Sequence, residues 1–390
     1  MRRQWRHVRI GDHLEQHRAL RGERALPAYS VVFPEDAAVD ESARIAAARD
    51  WIGLPAVEAA FTDGSPLAAG LEFIRAWEVP SVTPNLFIWL PLLRRAAADG
   101  IDALLDGEGG DELFGCAPYL VADALRTGRF PTALRTARRL PGMGASPRPR
   151  LVRRALLRYG LRPALPYRLH ELLRSVRGRG RVPDWLDDEA RAAHRTGDDP
   201  WAWKRTRAPR WWAHLADALT DFVDVLGAAD QLRREAALAG LQLRHPLRDP
   251  QLVELVLGLP PALAFDPHID RALARTAFEG DLPPEVLGDD AKPVFNSVLT
   301  AALDGRDRAA LRALLADPHP ELARRVRRAA VDALNGGSSA SRPATWSVDM
   351  WRLASLELWL EYQSDPAVAE RLAGLDSVPS VSFAEVPVRV

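Results

Sequence analysis

The chain has 390 residues, 47% hydrophobic and 27% charged, and its 52 basic and 52 acidic residues cancel. That length allows one large domain or two ordinary ones, and a zero net charge gives no general attraction to polyanions. No run of about 18 apolar residues occurs, so no membrane helix is expected, and the single cysteine, Cys116, excludes an internal disulfide or a cysteine-based metal cluster.

Met1–His7 is basic with no apolar segment behind it, so no secretory signal is read and a cytoplasmic location is expected. Ala28–Phe33, β-branched and aromatic after Pro27, predicts a buried strand that ends at Pro34-Glu35-Asp36. Asp40-Glu41-Ser42 starts a helix to about Trp51, and Leu67–Trp77 predicts another. Pro80 and Pro84 break the chain. Asn85–Asp99 then reads as a helix, with Asn85 as its cap and Pro91 as a kink or boundary. Gly100 ends it, and Ile101–Leu105 is the next strand. Strands alternating with helices predict an α/β fold with a parallel sheet flanked by helices. The strands at 28–33 and 101–105 are expected in that one sheet, with ligands beyond their carboxyl ends.

After Tyr119 the pattern is mostly helical. Ala124 to about Arg210 reads as an insertion of basic helices, broken at Pro141–Pro149 and Gly178–Pro183. Between Ala124 and Pro183 the only acid is Glu171, while arginines recur from Arg135 to Arg181. Solvated amphipathic helices, or packing against acidic parts of the same chain, account for this pattern. A sharper reading is a docking surface for an anionic partner such as an acidic peptide or nucleic acid. Aromatics are sparse there, so a base-stacking platform for nucleic acid is not expected. Asn335–Pro343 reads as a flexible loop before a last helix at about Trp346–Tyr362. The predicted organisation is a single domain over 1–390. Its core covers about 26–123 and 211–300, its insertion about 124–210, and its C-terminal helices 301–390.

The most informative stretch is Leu104–Gly115, Leu-Leu-Asp-Gly-Glu-Gly-Gly-Asp-Glu-Leu-Phe-Gly. Two apolar residues end a strand, glycines alternate with acids, and a helical run follows. Glycines let the backbone approach a ligand and adopt positive φ. Carboxylates beside such a turn can hold Mg²⁺, which bridges phosphate oxygens. The string resembles the Ser-Gly-Glu-Gly-Ala-Asp-Glu-Leu-Phe-Gly-Gly motif of the asparagine synthetase family, whose relatives include β-lactam synthetases and lasso-peptide cyclases. Asp106 replaces the family's Ser, and Cys116 replaces its second closing Gly.

Further segments carry the same resemblance in order. Leu243–Pro250, Leu-Arg-His-Pro-Leu-Arg-Asp-Pro, is similar to the family's Val-Arg-Val-Pro-Phe-Leu-Asp, with Arg248 at an apolar position. Its Arg244 and Asp249 are either a buried ion pair or substrate contacts. Leu282–Leu287 and Lys292–Phe295 resemble Leu-Pro-Glu-Glu-Ile-Leu and the later Lys-x-Gly-Phe, with Asp289 or Asp290 where the family has arginine. Lys292 is one of only two lysines in an arginine-rich chain. Trp351–Tyr362 resembles a closing helix of bacterial members and reads as core packing.

The resemblance implies an adenine nucleotide α-hydrolase-like core with a helix-rich C-terminal half. It also implies ATP and Mg²⁺ as cofactors and a carboxylate substrate, aspartate or a peptide side chain, activated for attack by an amine. By the same resemblance Glu108 assists proton removal and Lys292 stabilises the transition state. Asp111 holds the metal, and Val31, Asp106, Gly107, Gly109 and Gly110 form the nucleotide site. The family's Ser-Gly-Gly-x-Asp-Ser pyrophosphate loop has no counterpart before Ala28, so a truncated member, a degenerate one, or one whose loop comes from another chain is expected, with slow or no ATP turnover by the chain alone. No N-terminal nucleophilic cysteine of the glutaminase type is present, and Cys116 reads as a small buried residue. The amine would be ammonia, alone or from a partner, or a group on the substrate. A non-catalytic binding protein and a lasso-type macrolactam cyclase are the alternatives.

Overall fold

The computed structural model describes residues 26–177, 182–196, 201–220, 227–288, 295–336, 345–368 and 380–386. β1 (Ala28–Val32) leads through α1 (Ser42–Ile52) to β2 (Ala56–Asp63), and the two strands pair in parallel with Ala28 opposite Ala56. α2 (Pro66–Trp77) and α3 (Leu86–Ala98) follow. Ser65 starts α2 by accepting the Ala68 N–H at 3.0 Å, and Pro66 suits its first turn. Asn85 occupies the cap position of α3 but its side chain makes no capping bond, and the helix runs on through Pro91.

β3 (Ala103–Leu105) opens a second sheet, followed by α4 (Gly110–Phe114), α5 (Leu120–Arg126), α6 (Phe130–Arg138) and α7 (Pro149–Ala155). The expected basic insertion is helical where it is described. α8 (Gly227–Leu238) then leads into β4 (Gln242–Arg244), which pairs with β3 in parallel. α9 (Pro250–Leu257), α10 (Ala272–Ala277), α11 (Asn296–Asp304) and α12 (Trp346–Ser364) complete the helices used below. β5 (Ser380–Val386) returns antiparallel along β2.

The fold is mixed α/β, but two expectations need correction. Among the described residues, the strands at 28–33 and 101–105 do not share a sheet: β1 lies in the order β1-β2-β5, and β3 pairs with β4. β1 takes β2 as its ladder partner, a strand hidden in sequence by its Ala, Glu and Thr content. Side chains rather than a ladder connect the sheets, because Tyr29 of β1 and Leu104 of β3 both pack against Ala96, Ala236 and Leu241. The segment 301–390 is also not all helical, since β5 closes the first sheet along β2. Its approach makes that sheet mixed rather than parallel.

The main core is centred on α12. Trp346, Met350, Leu353, Ala354 and Leu358 recur at helical spacing, and each is at most 2% exposed. They join Phe73 and Ile74 of α2, Leu86 and Ile88 of α3, and Leu299 and Leu303 of α11 in one cluster. The closing helix is thus core packing, as its sequence indicates. α2 and α12 approach so closely that a Cβ on Gly70 would lie 2.8 Å from the Trp351 ring.

Candidate active site

The site grows from the register of β3 on β4. Leu105 stands opposite Arg244, so the next residue of each strand, Asp106 and His245, leaves the sheet beside the other. The Asp106 N–H donates to the Arg244 carbonyl at 3.1 Å, and His245 Nδ1 lies 2.8 Å from Asp106 Oδ1. That same oxygen accepts the Glu108 N–H at 3.1 Å, which folds the chain into a side-chain-capped turn. His245 occupies a valine position in the family string and Asp106 a serine position. The two departures are therefore partners, a relation that neither segment shows alone. The His245 ring is 2% exposed, and among the described residues its Nε2 has no hydrogen-bond partner.

The glycines shape the turn. The Gly107 carbonyl accepts the Gly110 N–H at 3.1 Å, and Gly109 takes φ +92°, in the left-handed region. A Cβ at Gly109 would lie 2.7 Å from Arg248 Cγ, and one at Gly110 would lie 2.9 Å from Leu247 Cδ1. A Cβ at Gly107 would meet nothing within 4 Å, so this side of the turn is open.

Both leading carboxylates face guanidinium groups. Arg248 Nη2 donates to Glu108 Oε1 at 3.2 Å, and Arg271 Nη1 donates to Asp111 Oδ1 at 2.8 Å. Burial pushes the Glu108 carboxyl above its ordinary range. The charge of Arg248 opposes that rise, while Glu112 and Asp106 add to it. Arg248 is thus the counter-charge of Glu108, which explains a charged residue at an apolar family position. Arg271 was not singled out in the sequence. Its signal is conformational, a non-glycine residue at φ 53° directly before α10.

Asp249 and Arg244 form no buried ion pair. Asp249 caps α9 by accepting the Gln251 and Leu252 N–H groups at 2.9 and 3.2 Å, and Arg244 donates to Gln242 at 2.7 Å. Both residues are exposed. Cys116 is half-buried, and burial raises its thiol pKa far above the ordinary value, as expected of an inert packing residue. Val31 belongs to the other sheet, and its side chain is buried in the main core.

Lys292 lies outside the described residues, but its flanks are anchored. Arg275, one helical turn after Arg271, donates to the carbonyls of Val286 and Leu287. On the far side, the Phe295 ring packs 5.4 Å from Phe33 and 5.9 Å from Trp89. The described residues on either side of position 292 thus pack on α10, which touches the motif turn, and on the chain leaving β1.

Among the described residues, no three His, Cys, Asp or Glu side chains converge into a metal cage. Mg²⁺ that arrives with a nucleotide takes one or two carboxylates from a protein and its remaining ligands from phosphates and water. Asp111, 43% exposed, fits that smaller requirement. The membrane expectation also holds in its limited form: among the described residues no helix is long and apolar enough to cross a membrane.

Comparison with known proteins agrees with the motif reading. The asparagine synthase family model matches residues 13–361, starting upstream of the segment from Leu26 onward that carries the motif resemblance. No curated protein matches the chain. The chain belongs to the asparagine synthase family, whose members use ATP to form amide bonds.

Proposed function

We propose that the turn at 106–111 is the catalytic centre of an ATP-dependent amide-forming reaction on a carboxylate, of aspartate or a peptide side chain. The carrying observation is that the family's two motif acids, Glu108 and Asp111, lie at the carboxyl ends of β3 and β4, each met by an arginine. A substrate carboxylate oxygen attacks the α-phosphorus of ATP, and the bond to pyrophosphate breaks. An amine then attacks the acyl carbon, AMP leaves, and the amine proton passes to a base. Glu108 is that base, because its raised pKa makes it a better proton acceptor than an ordinary carboxylate. Arg248 and Arg271 would trade their carboxylate partners for phosphate oxygens, which guanidinium forks fit well. Transfer of Arg248 to a phosphate would remove the charge that holds the Glu108 pKa down. Lys292 adds a cation as negative charge develops. Mg²⁺, held by Asp111 and the phosphates, would supply charge neutralisation for departing pyrophosphate. Asp106 and His245 position the turn.

The test is carboxylate-dependent pyrophosphate release from ATP. Release that Asp111→Asn abolishes, together with amide formation that Glu108→Gln abolishes, supports the reading. ATP binding without release under any carboxylate supplied would favour the non-catalytic alternative.

A further inference from the structure

Helix α7 does not stop at Ala155. It widens into a π-helical turn, Leu156–Leu161, and closes with Arg162–Ala164. Along this rod Arg150, Arg154, Arg158 and Arg162 recur at every fourth position. In an α-helix such a row drifts around the axis by about 40° per step. The wider π turn rotates it back. All four, with Arg153, line one cleft of about 680 Å³ that also meets Tyr119 and Trp201. The five arginines are exposed, and among the described residues none has a carboxylate within ion-pair distance. Like charges four apart on a helix repel, and π turns are frequent at functional sites. Two locally unfavourable features thus coincide on one face.

We propose that this arginine row is the docking cleft for an acidic peptide segment whose carboxylate is the one activated at the motif turn. The proposal rests on the amide-forming reading and names its substrate class. The row repeats every ~6 Å, close to the ~6.6–6.8 Å between same-side residues of an extended strand. Alternate acidic residues of an extended peptide therefore meet successive guanidinium groups. A neighbouring cleft of about 340 Å³ shares Arg154 and Arg158 and is otherwise lined by apolar residues such as Leu140 and Met143, which suit peptide side chains. It also includes Cys116 and Pro118, which closely follow α4, so the row runs up to the end of the motif helix. Nucleic acid fits less well. The Tyr119 and Trp201 rings pack edge-on at 6.0 Å rather than forming an open platform, and the chain has no net positive charge.

The experiment is fluorescence anisotropy with three probes: a short labelled peptide alternating glutamate and glycine, its glutamine–glycine counterpart, and a single-stranded oligonucleotide. The acidic peptide is expected to bind, to weaken with salt, and to lose roughly tenfold or more in affinity in the triple variant Arg150→Glu, Arg154→Glu, Arg158→Glu. The matching triple arginine-to-glutamine variant is expected to give a smaller loss, and melting curves of both variants check that they fold. Equal binding of the glutamine peptide, or affinity unchanged in both variants, overturns the proposal. An oligonucleotide that binds more tightly than the acidic peptide overturns the choice of partner. Asp111→Asn is expected to bind the peptide normally. Peptide binding without pyrophosphate release would therefore fault the chemistry proposed for the turn and leave the cleft standing. Release driven by a free amino acid, with no peptide binding, would fault the cleft alone.

Discussion

The core around α12 and the turn beyond β3 are built on opposite physical terms. In the core, long aliphatic and aromatic side chains from α2, α3, α11, α12 and the larger sheet are almost wholly buried. At the turn the supporting strands have three residues each, Leu105 is 59% exposed, and two ion pairs with a His245–Asp106 hydrogen bond hold the geometry. Removing a core side chain should cost stability, whereas removing a turn side chain should cost chemistry. A site held by ion pairs on a short ladder keeps its charges near water and exchangeable, and a hydrocarbon core gives that site a fixed frame.

The largest stability effect should come from the core. Leu303→Ala empties a fully buried position and is expected to cost ~2–5 kcal/mol in denaturant unfolding. If the loss were under ~1 kcal/mol, the core would not be the frame described here. Asp111→Asn tests the other side. It should lower pyrophosphate release by about a hundredfold or more with the melting temperature nearly unchanged. A large fall in melting temperature would mean that the Arg271 pair is structural.

His245→Ala lies between the two regions, since its ring is buried but its partner belongs to the turn. It removes a charge-assisted bond and should destabilise the turn by ~1–3 kcal/mol. The same fall in activity for Asp106→Asn would show that the pair acts as a unit, while independent, additive losses would break that link.

A smaller effect concerns pH. Burial pushes the Glu235 carboxyl up from 4.5 to about 7, against hydrogen bonds from Gln231 and Thr83. It pushes Glu357 up to about 7 as well, against a bond from the His319 N–H. A carboxyl whose folded pKa is raised gives stability that is complete below its unfolded value and is lost as pH rises through the folded value. Thermal stability should therefore decline between about pH 4.5 and 7, and Glu235→Gln should flatten part of that slope. The smallest effect is Arg324→Ala. Its partner Glu321 is on the exposed surface, and no measurable change in melting is expected.

The frame was more legible in sequence than the site. The run Ala28–Phe33, the helix around Leu67–Trp77 and the closing helix each carry their own periodicity, so local reading finds them. β2 does not, because alanines dilute its pattern, and without β2 the strands at 28–33 and 101–105 read as members of one sheet. The acids of the turn stand out in a contiguous string. Their counter-charges come from positions 248 and 271, and only the β3–β4 register and the course of α10 bring those to the turn. Asp106 stands out in the sequence as a departure from the family string, His245 does not, and their pairing is visible only in three dimensions.

That pairing also affects how the chain folds. Asp106 and His245 are 139 residues apart, and the basic helices lie between them. The ladder of β3 on β4 must therefore close a long loop for a return of only three residue pairs. Closure entropy grows slowly with loop length, but non-local pairings delay folding. The motif turn should be among the last parts to reach native geometry, after the intervening helices have shortened the distance to be searched. On the ribosome, the acids of the turn emerge well before their arginines. The nascent chain thus holds the recognisable motif for much of its synthesis without the arrangement that would make it a site.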